Sequence, residues 1–381
     1  MNYKRQVKQL ISQSVLTRTA FACLFFGVLS SFFITERSVT GDPYELRYPA
    51  NFGSRFVIPE DNPLTKDGVA LGRMLFYEEL LSANNKVSCG TCHKQRLAFT
   101  DGLRQSVGVD GTPTKRNSMS LSNLLWVRSL FWDGRSDGLE QQAIVPLTDP
   151  HEMGQSLEAS SKKLKGTKTY PVLFEKAFGT KEINGDRIVK ALSQFERTLI
   201  SADSKYDQYL RGEYKLTESE LNGLNLFSSG PQPDKNIRGG NCLHCHGMPK
   251  TFSDIFHNNG LDSVYSDRGR AEITTNDADN GRFRVPTLRN IAVTGPYMHD
   301  GRFNTLEEVI NHYSDHIKQS ETLSPFIGEV SNEEGAIGLR LTEKEKTDII
   351  AFLHTLTDKN FISNPEFSDP ASNQRTTKKN L

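Results

Sequence analysis

Two five-residue stretches decide the reading of this chain: Cys89-Gly-Thr-Cys-His93 and Cys242-Leu-His-Cys-His246. Each places two thiols three positions apart with a histidine directly after the second. That spacing suits covalent c-type haem attachment, in which two cysteines take the vinyl groups and the adjacent histidine binds the iron. The cysteines are then Cys89, Cys92, Cys242 and Cys245, and the iron ligands His93 and His246. Two copies predict two covalent haems, and haem restricts function to electron transfer or to peroxide and oxygen chemistry. Two rival readings start from the same residues. A CxxC pair is a redox dithiol in a βαβ setting, but no such setting is visible. Cysteine and histidine also hold zinc, although zinc sites usually place further ligands at looser spacings.

The chain has 381 residues, enough for two domains with separate cores. Lys plus Arg number 46 and Asp plus Glu number 46. A balanced chain is not the profile of a nucleic-acid binder or a polybasic membrane surface. Four of the five cysteines sit in the two motifs. The fifth, Cys23, lies in an apolar run, so no disulfide framework is implied. Lys4, Arg5, Lys8 and Arg18 flank or precede that run, which spans 20–34. The pattern is that of an export signal. At about 15 residues the run is short of the ~20 that span a bilayer. No clear small-x-small cleavage site follows, so an uncleaved N-terminal membrane anchor stays open beside a cleaved signal. Either way the rest of the chain is expected in the periplasm.

The chain also repeats a plan. Thr65 caps a helix carrying Val69, Gly72, Leu75 and Phe76, and a loop then leads to the first motif. Thr217 and Glu220 form a T-x-x-E box ahead of Leu221, Leu224 and Phe227, and a loop with Gly239 and Gly240 leads to the second. Each half closes on an apolar helix. The first carries Ile188, Ala191, Leu192, Phe195 and Leu199. The second starts at the box Thr342 to Glu345 and carries Ile349, Phe352, Leu353 and Leu356. Strand-like alternation is scarce. The expected fold is mainly α, with two cytochrome c-like domains over 41–205 and 206–360. Residues 1–40 are the signal or anchor, and 361–381 form a polar, disordered tail.

Several further motifs occur in order over residues 50–357: LGRMLFYEELLS (71–82), FWDGRSDGLEQQA (131–143), DPHEMG (149–154), ALSQFERTL (191–199), VPTLRNIAVTGPYMHDGRFNTLEEVI (285–310) and LTEKEKTDIIAFLHTL (341–356). With the haem motifs they resemble the bacterial dihaem cytochrome c peroxidase family, including its MauG-like branch. The resemblance implies that His93 serves the peroxidatic haem and His246 the electron-transfer haem. Trp132 matches the tryptophan between the haems. Gln142 and Glu152 match the distal polar pair, with Pro146 beside them. Asn117, Thr294 and Pro296 match residues that hold a calcium ion between the domains, the last two through carbonyl oxygens.

Two positions depart from the peroxidase pattern. Many members carry a capping histidine in the loop after the first motif. Here that loop is SVGVDG (106–111) and the position is Val109, which cannot ligate iron. The second departure is Tyr313, where the peroxidases place Met and the MauG-like branch Tyr. A thioether raises haem potential, so a phenolate is expected to lower it. The alternatives are that Met298, or no residue, is the ligand. The implied activity is reduction of hydrogen peroxide, with Glu152 as general acid–base, Gln142 orienting the peroxide and Trp132 carrying oxidising equivalents. The electron donor would be a small cytochrome c or cupredoxin. The alternatives are a MauG-like oxidation of a partner protein and, as a non-enzyme, a dihaem electron carrier. A tryptophan-modifying relay is weakened, because Gly240 and Asn241 precede the second motif and the chain holds only Trp126 and Trp132.

Overall fold

The computed structural model describes residues 41–371. The N-terminal charged and apolar run, with Cys23, lies outside the described residues. The first half contains α1 (Lys66–Phe76), α2 (Cys89–Cys92), α3 (Leu139–Thr148), α4 (Leu157–Lys165), α5 (Tyr170–Phe178) and α6 (Gly185–Arg197). The second contains α7 (Lys205–Leu210), α8 (Glu218–Ser228), α9 (Ala271–Thr274), α10 (Leu306–Asp315), α11 (Pro325–Gly328), α12 (Glu343–His354) and α13 (Lys359–Ser363). Strand structure among the described residues is confined to two antiparallel pairs of two-residue strands, β1 (Ser129–Leu130) with β2 (Ser136–Asp137) and β3 (Phe256–His257) with β4 (Phe283–Arg284). The fold is mainly α, as the sequence predicts. No helix among the described residues is long and apolar enough to cross a membrane.

The helix starts follow from their caps. The Thr65 hydroxyl accepts from the Gly68 amide, and Thr217–Glu220 and Thr342–Glu345 form reciprocal capping boxes. Another such box, Thr305 with Glu308, opens α10.

The two halves share one helix crossing. In the first, α1 lies against α6, and a Cβ on Gly72 would overlap the Ala191 carbonyl and press on Phe195. In the second, α8 lies against α12, and a Cβ on Gly223 would overlap the Asp348 carbonyl and press on Phe352. Only glycine lets these backbones approach so closely. Around each crossing sits its own apolar core: Leu71, Leu75, Phe76, Leu192 and Phe195 in one, and Phe227, Ile349, Phe352 and Leu356 in the other. Leu221, expected on the buried face of α8, is 39% exposed.

Buried polar side chains tie the halves together. The Asn290 amide donates to Ser201 Oγ at 2.9 Å, and its oxygen accepts the Asp358 amide at 2.8 Å. Asp358 Oδ2 in turn accepts from Ser201, Ala202 and Asp203.

The expectation of a disordered polar tail does not hold for residues 361–371. Phe361 and Phe367 are buried in the core of the first half, with Phe361 edge-on to Phe99 at 5.5 Å. Arg73 donates to the Ser368 carbonyl and Gln95 to those of Phe361 and Asn364. Two phenylalanines spaced six apart in a polar stretch are enough to anchor it, because each aromatic ring removes a large apolar area from water.

Candidate haem sites

Both CxxCH stretches fold into one tight turn, so the two thiols share a side. In each, the histidine amide donates to the carbonyl of the first cysteine at 2.9 Å. The histidine rings are held alike. His93 Nδ1 lies 2.7 Å from the Phe99 carbonyl, and His246 Nδ1 lies 3.2 Å from that of Pro286 and 3.3 Å from that of Thr251. A carbonyl at Nδ1 fixes that nitrogen as the N–H donor and leaves Nε2 to bind metal. Burial lowers the pKa of both imidazoles, His246 to about 4, so both are neutral at pH 7, as ligation requires.

The surroundings of the thiols do not favour the redox-dithiol reading. Burial pushes the pKa of all four upward, Cys92 and Cys245 to about 11 and Cys242 to about 12. A redox dithiol needs the opposite shift. The zinc reading also fails, since the described residues contain no group of three or more His, Cys, Asp or Glu placed to hold a metal ion.

Beside the second motif opens an apolar cavity of about 230 Å³, lined by Cys242, Cys245, His246, Met298, Tyr313 and Arg284 among others. Its donor set and apolar walls fit a covalently tethered haem. Tyr313 projects from α10. Its hydroxyl accepts from Asn259 Nδ2 at 3.2 Å, and the same amide lies 3.4 Å from Met298 Sδ. Both candidate ligands therefore face this cavity. Burial pushes the Tyr313 phenol up to about 12.

Trp132 lines the same cavity from the first half. Its indole N–H donates to the Asn117 carbonyl at 2.9 Å, and its ring stands edge-on to His299 at 6.5 Å. The next residue, Ser118, donates to the Cys92 carbonyl and lies 3.5 Å from His93 Nδ1. The residue that accepts the indole N–H is thus adjacent in the chain to one that lies against the first motif's histidine. Trp126, in contrast, is packed among Tyr48, Phe52 and Phe56 and donates to the Gly53 carbonyl.

Glu152 and Gln142 do not line this cavity. The DPHEMG stretch folds back along α3, with the Met153 amide bound to the Pro146 carbonyl and the Gln155 amide to that of Leu147. α3 carries Gln142 and Pro146 one turn apart. Glu152 is half-buried. Its carboxyl pKa is raised, first by burial and then by Asp149, with Arg135 opposing. Its charge is felt at both Cys89 and Cys92. Val109 is brought directly beside it, since the Val109 amide donates to the Glu152 carbonyl at 2.8 Å. His151 faces outward, 58% exposed, with Nδ1 2.7 Å from Asp110.

Asn117, Thr294 and Pro296 all line the cavity. Asn117 spends its amide hydrogens on the Leu103 and Arg104 carbonyls. Three notable residues are absent from the sequence reading. Asn259 has no local signature. Glu196 is buried beside Arg197, which is already paired to Glu140, and its Oε2 has no partner. Arg284 is visible only as one basic residue ahead of VPTLRN.

A family model described as "Di-haem cytochrome c peroxidase" matches residues 66–215. The methylamine utilization protein MauG of Methylorubrum extorquens is 36% identical over 302 residues, covering 78% of this chain and 80% of the relative. The cytochrome c551 peroxidase of Nitrosomonas europaea is 32% identical over 349 residues, covering 88% and 95%. A crystal structure described as a MauG-like protein associated with microbial copper homeostasis superposes with a TM-score of 0.76 at 36% identity, covering 86% of this chain and 99% of that one. The family carries two haems, and its members are peroxidase-type oxidoreductases. On this evidence the chain is an enzyme of the dihaem cytochrome c peroxidase family, the family that includes MauG.

Proposed function

We propose that this protein is an exported, periplasmic c-type peroxidase that reduces hydrogen peroxide to water with electrons from a small redox protein, a cytochrome c or a cupredoxin. The observation that supports this reading is the pairing of Val109 with Glu152. The loop that would bring a capping histidine instead presents a valine, and its amide is fixed to Glu152. Two haems, held by Cys89, Cys92 and His93 and by Cys242, Cys245 and His246, would supply the redox chemistry. Glu152 takes a proton from one oxygen of peroxide and returns it to the other, which departs as water as the O–O bond breaks; two electrons from the donor protein and two protons turn the remaining oxygen into a second water. A carboxyl with a raised pKa suits both halves of that transfer. Gln142 orients the peroxide by hydrogen bonding. Trp132 is the oxidisable group between the sites. Tyr313 is the ligand we assign to the second haem, with His93 and His246 as the proximal ligands. Asn117, Thr294 and Pro296 would hold a calcium ion near Trp132, and the orientation of the Asn117 amide hydrogens leaves its side-chain oxygen for the cation.

The test adds hydrogen peroxide to the oxidised two-haem protein, then a panel of reduced donor proteins, while recording the haem spectrum. The reading expects a high-spin ferric signal before peroxide, a rapid spectral change after it, and restoration by one of the donors. Two low-spin haems indifferent to peroxide would leave only an electron carrier. Reaction with peroxide but with no donor would favour the MauG-like alternative, oxidation of a partner protein.

A further inference from the structure

Three arginines are buried among the described residues: Arg197, Arg284 and Arg289. Arg197 forms a two-pronged pair with Glu140 at 2.7 and 2.8 Å, and Arg289 pairs with Asp207. Arg116, its side chain only 8% exposed, pairs with Asp133 and Asp267. Arg284, at 4% exposure, has no carboxylate within ion-pair distance among the described residues. Its Nε donates to the Phe131 carbonyl at 3.1 Å and its Nη2 lies 3.4 Å from Met119 Sδ. The carboxylate whose charge reaches it is Asp254, an exposed residue engaged with the Arg128 and Ser129 amides.

A buried guanidinium does not discharge at neutral pH, and leaving it unpaired is costly. The other buried arginines follow that rule, so the missing anion calls for a source outside the polypeptide. Arg284 lines the cavity of the second motif, whose lining contains no Asp, Glu or Lys and no other Arg. A c-type haem brings carboxylates into that space. We infer that Arg284 is a cofactor-binding residue whose guanidinium pairs with a carboxylate of the haem held at Cys242–His246. The same residue grips the tryptophan loop: its amide donates to the Trp132 carbonyl at 2.7 Å, beside the side-chain bond to Phe131. It thereby links the acidic edge of one haem to the segment that separates the two sites.

The inference rests on haem being attached at the second motif, so potentials are read only in protein shown by pyridine haemochrome assay to carry two haems. A fixed positive charge beside a haem carboxylate favours the reduced haem. In R284Q one haem is expected to become harder to reduce by about tenfold in its oxidised-to-reduced ratio, or about 59 mV. R284K, which keeps the charge, is expected to stay within about threefold of wild type. Selective loss of the second haem in R284Q, with the first retained, also supports a carboxylate anchor. R284Q with two haems and unchanged potentials overturns it, as does a shift in R284K equal to that in R284Q. Collapse of the fold with loss of both haems assigns Arg284 instead to clamping Phe131 and overturns it too. Exchange of chloride for acetate at constant ionic strength separates the sources of the anion. A wild-type potential that follows the added anion, and stops doing so in R284Q, assigns the charge to a free anion rather than to haem.

Discussion

The two motif regions share a scaffold and differ in their surroundings. Each contains a glycine-mediated helix crossing and holds its histidine through Nδ1. Around the first lie carboxylates, Glu152 and Glu196, both with raised pKa. Around the second lie a phenol, a thioether and an arginine, with no carboxylate on the cavity wall. Proton handling belongs to a site with ionisable oxygens, and charge storage to one with a polarisable, dry wall. One frame thus offers two sets of neighbours, because the helix crossing repeats while the long loops differ.

The largest effect should come from the acidic side of that contrast. Glu152→Gln keeps shape and removes the proton exchange, so the peroxide reaction should slow by about 10²–10⁴-fold with haem content unchanged. The pH profile carries a sign. Glu152 takes a proton only when ionised, so the wild-type rate should fall as pH drops through its raised pKa. Asp149→Asn removes a raising charge and should move that fall to lower pH. Stopped-flow rates against pH check all three, and a profile in the Gln variant identical to wild type would remove Glu152 from the reaction.

On the other side, Tyr313→Phe should change the spectrum of the second haem alone, whereas Met298→Leu should not. Tyr313→Met should make that haem easier to reduce by tenfold or more in its oxidised-to-reduced ratio, roughly 60 mV, because thioether ligation raises haem potential. Redox titration with both variants decides it. A response confined to the Met298 variant would transfer the ligand role to that residue, which shares Asn259 with Tyr313.

Much of this contrast is legible in the sequence, because its signals are local. The haem turns, the caps at Thr65, Thr217 and Thr342, and the apolar faces of α6 and α12 each occupy a few consecutive turns. What escapes is long-range pairing. Nothing near Arg289 announces Asp207, and nothing near Arg284 announces that no carboxylate will meet it. The anchoring of Phe361 and Phe367 in the other half's core is likewise a contact across the whole chain. Composition reads that segment as polar, whereas two rings decide its fate.

Glu196 sharpens the difference by pH. Burial raises its pKa to about 8, with Glu140 adding and Arg197 opposing. The folded state therefore holds this proton more tightly than the unfolded state. Its effect on stability is absent below the ordinary carboxyl pKa, and stability is lost progressively as pH rises from there to about 8. Glu196→Gln should remove that loss, a gain on the order of a few kcal/mol at pH 8 and little at pH 4. Denaturant midpoints across that range, with parallel curves for the two proteins, would show that the carboxyl is ionised and paired in the folded enzyme.

The smallest effects probe what the regions share. Gly72→Ala and Gly223→Ala each place a methyl group against a backbone carbonyl at the crossing, at Ala191 and at Asp348. Neither carbonyl can swing aside without disturbing its helix, so separation of the helices is the remaining response. Each variant should lose about 1–3 kcal/mol, the usual range for overpacking. The measurement is denaturant unfolding of the two-haem protein, with the absorbance of each haem followed separately. If the halves are equivalent, Gly72→Ala releases the first haem's spectrum early and Gly223→Ala the second's, by similar amounts. A silent Gly223→Ala would mean that the cavity of the second half lets α8 retreat where the packed first half does not. The open wall beside Tyr313 would then be a mechanical as well as a chemical difference between the two sites.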